Sequence, residues 1–137
     1  MNLVDSSGWI EYFFSGPNDS FFASPIEAIQ DLVVPTVCLY EVFKKVSVVA
    51  DEARALQAIA QMKQGRVVAL TEDVALKASL ISIKHKLPMA DSLIYATAKA
   101  LDAIVWTQDE HFRKLPGVNY REARAKMPRR RSNRPRG

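Results

Sequence analysis

Cysteine is nearly absent, with Cys38 the only one in 137 residues. A lone thiol excludes an internal disulfide and fits a reducing compartment. Histidine is almost as scarce: His85 and His111 lie far apart, with no second His or Cys at zinc-ligand spacing, which argues against a zinc site. The five glycines, at positions 8, 16, 65, 117 and 137, are scattered, so no glycine-rich phosphate loop is present. Long apolar runs are missing too. The longest, Leu32 to Tyr40, falls far short of the ~20 residues a membrane-spanning helix needs. The first fourteen residues carry Asp5 and Glu11 and lack the basic start of a signal peptide. Ser6, Ser7 and Cys38 have no neighbouring base to make a nucleophile. These absences lead to the expectation of a cytoplasmic protein with no membrane association.

Charge is distributed unevenly. The formal net charge is +4, but residues 128–137 hold five arginines (129, 130, 131, 134 and 136) and no acid. Without that segment the balance is 14 basic to 15 acidic residues, so the body is at −1. The length suits one core. The expected organisation is therefore a single domain over residues 1–127 and a disordered, arginine-rich tail over 128–137. Arg129, Arg130 and Arg131 can lie along a phosphate backbone, or the tail can be a solubilising terminus with no specific partner.

Strand and helix patterns alternate along the body. Leu3-Val4, Leu32–Val34, Val67–Leu70 and Ala103–Trp106 read as short buried strands, with a weak one at Val118–Tyr120. The first helix is expected after a cap at Ser6 or Ser7, the second over about Ser20–Gln30 with a Ser24-Pro25 cap pair inside it. Thr36 is expected to cap a helix to Val49, Asp51 one to Lys63, and Thr71 one closing at His85-Lys86. On the last two, the apolar stripes run through Ala53, Leu56, Ile59, Ala60 and Met62, and through Val74, Leu76, Ala78, Leu80, Ile81 and Ile83. Pro88 opens a helix to about Leu101, kept thin by Ala90, Ala96, Ala98 and Ala100. The alternation predicts an α/β fold of three layers, α/β/α, around a small parallel sheet.

Four acids stand out against this pattern. Asp5 and Asp109 follow strands, whereas Glu41 and Asp91 sit within apolar helical stretches. In parallel sheets ligands collect beyond the carboxyl ends of the strands, where such acids can converge. A converging set repels itself unless a hard divalent cation neutralises it, which suggests Mg²⁺ or Mn²⁺ and phosphodiester chemistry. Each acid also has an ordinary structural role available. Asp5 can cap a helix. Thr107-Gln-Asp-Glu110 matches a capping box with Thr107 as cap. Glu41 can pair with Lys44 or Lys45 on a helix surface. Asp91 gains up to about 1 kcal/mol from the helix dipole. It shares a stripe with Ile94, Tyr95 and Ala98, however, and burying an unpaired acid costs several kcal/mol.

Leu3-Val-Asp5-Ser-Ser7, Leu39-Tyr-Glu41-Val42, Met89-Ala-Asp91-Ser-Leu-Ile-Tyr-Ala-Thr-Ala98 and Val105-Trp-Thr107-Gln-Asp109-Glu-His-Phe112 stand out as four segments. Together they resemble the PIN-domain nucleases, most closely the VapC-type ribonuclease toxins. The resemblance covers residues 2 to 120 and leaves out the arginine tail. It implies that Asp5, Glu41, Asp91 and Asp109 form a metal-binding and catalytic quartet, supported by Ser7 and Thr107. His111 departs from the pattern, since many members place an acid there. The function so implied is a Mg²⁺- or Mn²⁺-dependent endoribonuclease, a homodimer blocked by an antitoxin. Lys44, Lys45 and the tail arginines are the candidate RNA contacts. Trp9, Tyr12, Phe13, Phe21 and Phe22 can line an antitoxin groove or simply fill the core. The competing reading is a noncatalytic RNA-binding module that relies on the basic tail. A phosphatase is disfavoured by Asp5-Ser-Ser-Gly-Trp9 after the first strand, where Asp-x-Asp-x-Thr would be needed.

Overall fold

The structure, a computed structural model, describes residues 1–125. The tail at 128–137, with Arg129, Arg130 and Arg131, and the last two residues of the expected 1–127 domain lie outside the described residues. Five short segments form strands: β1 (Asn2–Val4), β2 (Leu32–Pro35), β3 (Arg66–Val68), β4 (Ile104–Thr107) and β5 (Val118–Tyr120). They alternate with α1 (Ser6–Phe13), α2 (Asp19–Glu27), α3 (Thr36–Val49), α4 (Glu52–Met62), α5 (Glu72–His85) and α6 (Met89–Ala100). Helices flank the sheet in the expected three-layer α/β/α arrangement.

The strands pair in parallel in the order β3-β2-β1-β4-β5. The chain starts in the middle, steps outward to β3, then returns to lay β4 against the other side of β1. Strand order therefore reverses between β1 and β4, and the carboxyl ends of these two strands border a crevice suited to ligands. The register sets Val4 opposite Trp106, and the Asp5 N–H donates to the Trp106 carbonyl at 3.1 Å. Asp5 and the residues after Thr107 thus emerge side by side. Every residue of β2 is buried, as expected of a strand covered on both faces.

Local details differ from the sequence expectations for identifiable reasons. Asp5, not Ser6 or Ser7, caps α1, its carboxylate accepting from the Gly8 N–H at 3.0 Å. Pro25 is buried inside α2 and does not open a helix. Thr36 is the first residue of α3, with Pro35 in the cap position. On α4 the buried face is Ala55, Ala58 and Met62, while Leu56 is exposed. On α5 only Ala78 is buried, and Leu76, Leu80 and Ile83 are 61%, 66% and 75% exposed. Of the expected stripes Met62 and Ala78 are buried, while Ala55 and Ala58, small residues outside the expected stripe, complete the inner face of α4. No helix among the described residues is long and apolar enough to cross a membrane.

The aromatics of the first two helices belong to the core. Trp9 and Phe22 are fully buried, and Tyr12, Phe13 and Phe21 pack partly buried against them. Trp9 stacks on Phe13 at 5.5 Å, and Phe21 meets both Phe22 and Trp106 at 5.0 Å. Trp9 and Phe22 are thereby core residues, and only Tyr12, Phe13 and Phe21 keep part of their surface open to a partner. The same packing constrains Gly8, where a Cβ would lie 2.6 Å from the Phe22 ring and 2.7 Å from Val4 Cγ1. Alanine in a helix gains up to about 1 kcal/mol over glycine, whereas overpacking a full core costs about 1–3 kcal/mol. Both neighbours are themselves fully buried, so the overpacking cost wins. Gly8→Ala is expected to lower stability by about 1–2 kcal/mol in urea unfolding; a variant as stable as the parent would show that the contact relaxes freely.

Candidate metal centre

Asp5 is 2% exposed, and its carboxylate accepts three hydrogen bonds while still lining the cleft. Oδ1 accepts from Ser7 Oγ at 2.8 Å and from the Gly8 N–H at 3.0 Å, and Oδ2 accepts from Thr107 Oγ1 at 2.7 Å. Burial pushes its pKa up to about 6, against the pull of these hydrogen bonds, and the nearby Asp109 charge adds to the rise. Thr107 Oγ1 also accepts from the Asp109 N–H at 2.8 Å. The hydroxyl therefore joins Asp5 to the turn that carries Asp109. The capping box expected at Thr107 and Glu110 is not formed. Asp109 is the cap instead, of a single 3₁₀ turn (Glu110–Phe112), its Oδ1 accepting the His111 N–H at 2.9 Å.

Asp91 enters from the first turn of α6, with its side chain 13% exposed. Its pKa is raised to about 7, first by burial, then by the charge and carboxyl contact of Asp109, with Asp5 adding and His111 opposing. Loss of hydration outweighs the favourable helix terminus here. Glu41 reaches in from α3 and accepts a 2.5 Å hydrogen bond from Ser6 Oγ. Neither Lys44 nor Lys45 forms an ion pair with it among the described residues.

These four acids, from four separate segments, line one cleft of about 460 Å³, together with Ser6, Ser7, Lys44 and Lys45. The structure thus brings together every sequence-predicted site residue within residues 1–125 except Thr107, which supports the cleft from behind through Asp5. Ser6 escaped the sequence reading as a site residue, whereas His111 entered it only as a departure from the family pattern. Ser6 holds Glu41. His111 places Nδ1 at 2.9 Å from Asp109 and 3.1 Å from Asp91. Ser6 follows Asp5 directly in a helical first turn, which is the signal that could have marked it. Carboxylate oxygens held close, two of them above their ordinary pKa, suit a hard divalent cation. Beside the cleft and sharing Tyr40, Lys44 and Val48 with it runs an apolar trough of about 620 Å³ that includes Leu39, Phe43, Leu56 and Ile59.

The raised pKa values of Asp5 and Asp91 carry a sign for stability. The folded chain binds protons more tightly than the unfolded one between about pH 4 and 7, so stability is lost as pH rises through that window. With EDTA present, Tm is expected to fall from pH 5 to pH 8. Asp91→Asn should raise Tm at pH 8 by several degrees, at roughly 4 °C per kcal/mol relieved in a domain of this size. A metal-free Tm that climbs with pH would contradict the assignment of these shifts.

Comparison with known proteins agrees with this geometry. No curated protein sequence matches the chain. Among solved structures, a toxin–antitoxin complex from Klebsiella pneumoniae is similar at a TM-score of 0.71 and 22% identity, covering 87% of this chain and 96% of that one. VapC20 from Mycobacterium tuberculosis, a Sarcin-Ricin loop cleaving toxin, gives 0.73 at 16% identity, covering 85% and 95%. DNA-bound VapBC from Salmonella typhimurium gives 0.68 at 13%, covering 89% and 98%. These likenesses establish a shared fold. The PIN domain family profile matches residues 3–118, nearly the whole described chain, and the protein belongs to the PIN domain family.

Proposed function

We propose that this protein is a metal-dependent endoribonuclease, the toxin of a toxin–antitoxin pair. The observation that carries the proposal is the convergence of Asp5, Glu41, Asp91 and Asp109 on one cleft at the strand-order reversal. Asp5, Asp91 and Asp109, with Glu41 beside them, would hold Mg²⁺ or Mn²⁺. When bound, such an ion supplies a Lewis acid for the phosphate and lowers the pKa of a coordinated water. Ser7 and Thr107 fix the orientation of Asp5, and Ser6 fixes that of Glu41, so the acids are set before substrate arrives. Lys44 and Lys45 stand exposed at the rim, where they bind backbone phosphates and read no bases. Arg129, Arg130 and Arg131 extend that contact along the RNA.

The test is cleavage of a labelled, structured RNA pool in Mg²⁺, Mn²⁺ or EDTA. Asp91→Asn should cut at least about 100-fold more slowly, the scale on which losing one electrostatic element of an active site acts. Lys44→Ala/Lys45→Ala should weaken RNA binding and reduce its salt slope by about 1–2. Equal cutting by wild type and Asp91→Asn would assign the activity to a contaminant. RNA binding without cutting by the wild type would favour a noncatalytic RNA-binding module.

Two apolar surfaces suit the partners this reading requires. The trough of Leu39, Phe43, Leu56 and Ile59 adjoins the acidic cleft, so an antitoxin segment seated there would also cover the site. Leu76, Leu80 and Ile83 form an exposed stripe on α5 that a second copy of the chain would bury in a homodimer. Leu56→Glu should abolish antitoxin capture without changing the sedimentation of the toxin alone, and Leu80→Glu should convert a dimer to a monomer. A reversal of those effects would exchange the two assignments.

A further inference from the structure

His111 is the only imidazole near the acids, and its position is built rather than incidental. Its Nδ1 lies 2.9 Å from Asp109 Oδ1 and 3.1 Å from Asp91 Oδ2. One imidazole nitrogen offers a single lone pair or a single proton in its plane, yet two carboxylate oxygens converge on it. Ligand atoms of an octahedral ion with bonds of about 2.1 Å stand about 3.0 Å apart at adjacent corners. Nδ1 has that spacing to both oxygens, and ligand atoms of the three residues all lie within 4.8 Å of one another. Two anchors hold the ring in place. The His111 N–H is fixed on Asp109 Oδ1 at 2.9 Å, and the next residue, Phe112, is fully buried against Tyr95. The side chain is 56% exposed, so water was open to it, but its nitrogen faces the acids.

We infer that His111 is a ligand of the same ion as Asp91 and Asp109 and sets the metal preference of the cleft. Carboxylate and water donors suit Mg²⁺, whereas imidazole favours later first-row ions, whose affinity rises from Mn²⁺ through Fe²⁺ and Co²⁺ to Ni²⁺. One nitrogen donor in an otherwise oxygen-lined site shifts its selectivity toward those ions. The inference rests on the proposal that the acidic cleft binds a metal, and the experiment separates the two.

The full chain is titrated calorimetrically with Co²⁺ alone and Mg²⁺ alone, and the Co²⁺-loaded protein is examined by proton NMR for an exchangeable, hyperfine-shifted imidazole N–H. Wild type and His85→Ala should show one such resonance, and His111→Ala none. The Co²⁺-to-Mg²⁺ affinity ratio should fall at least about tenfold in His111→Asp, the scale on which even outer partners of a ligand change metal affinity. The His111 side chain is 56% exposed, and its ion-pair contacts among the described residues are with the two acids, so these variants leave the core intact. If Co²⁺ binding is lost in Asp91→Asn but no imidazole resonance appears in the wild type, His111 is not a ligand and the acidic site stands. If wild type binds neither ion, both the ligand and the metal site fall.

Discussion

The carboxylate of Asp5 is the point on which the rest of the structure turns. It leaves β1 beside β4, caps α1 through Gly8, and accepts from Thr107 at the end of β4. Thr107 in turn holds the Asp109 backbone. One buried acid thereby ties a strand exit, a helix start and a second acid into one rigid unit. Its hydrogen bonds lower its pKa, but burial raises it further, so the unit stays in tension with its own charge. A core residue chosen for stability alone would not be ionisable here. The fold tolerates this because hydroxyl and backbone donors meet the oxygens that face inward, while the remaining lone pairs face the cleft.

Asp91 and Asp109 extend that tension to the surface. The like charges of the three aspartates oppose one another in the folded chain and separate in the unfolded one. Their proximity therefore subtracts from stability near neutral pH and adds to affinity for a cation. His111, against both oxygens, opposes part of that repulsion at Asp91. A nitrogen at that position bears on the first balance and, on the inference drawn above, would bear on the choice of ion as well.

Much of this was legible in the sequence, for physical reasons that differ by element. Strands β1, β2 and β4 were clear because strands covered on both faces read as short continuous apolar runs. Asp5 and Asp91 stood out because acids at those places conflict with the burial their neighbours demand. The arrangement failed to show where small residues do the packing. The expected stripes marked Met62 and Ala78, which are buried, but passed over Ala55 and Ala58 and included Leu56, Leu76, Leu80 and Ile83, which face outward. The capping-box reading at Thr107 misled because its pattern is local, and the hydroxyl is claimed by a partner 102 positions away. Glu41 was ambiguous beside Lys44 and Lys45 until Ser6 was seen to take its carboxylate.

Helix α3 joins the chemistry to the surface around it. Glu41 and Lys45 line the acidic cleft, Leu39 and Phe43 line the apolar trough, and Tyr40, Lys44 and Val48 line both. Helical geometry enforces this division, because residues three and four apart share a face. The 41–45 row and the 39–43 row therefore diverge across the axis, with Tyr40, Lys44 and Val48 as the ridge between them. A rod with a charged cleft on one flank and an oily trough on the other offers a partner apolar area beside the acids, with no change of shape required. A nucleic acid needs the cleft and the lysines alone, whereas a protein that fills the trough necessarily overhangs Lys44. On the function proposed above, competition between the two would be steric and electrostatic at one residue pair, Tyr40 and Lys44, whose ammonium lies over the ring at 5.8 Å.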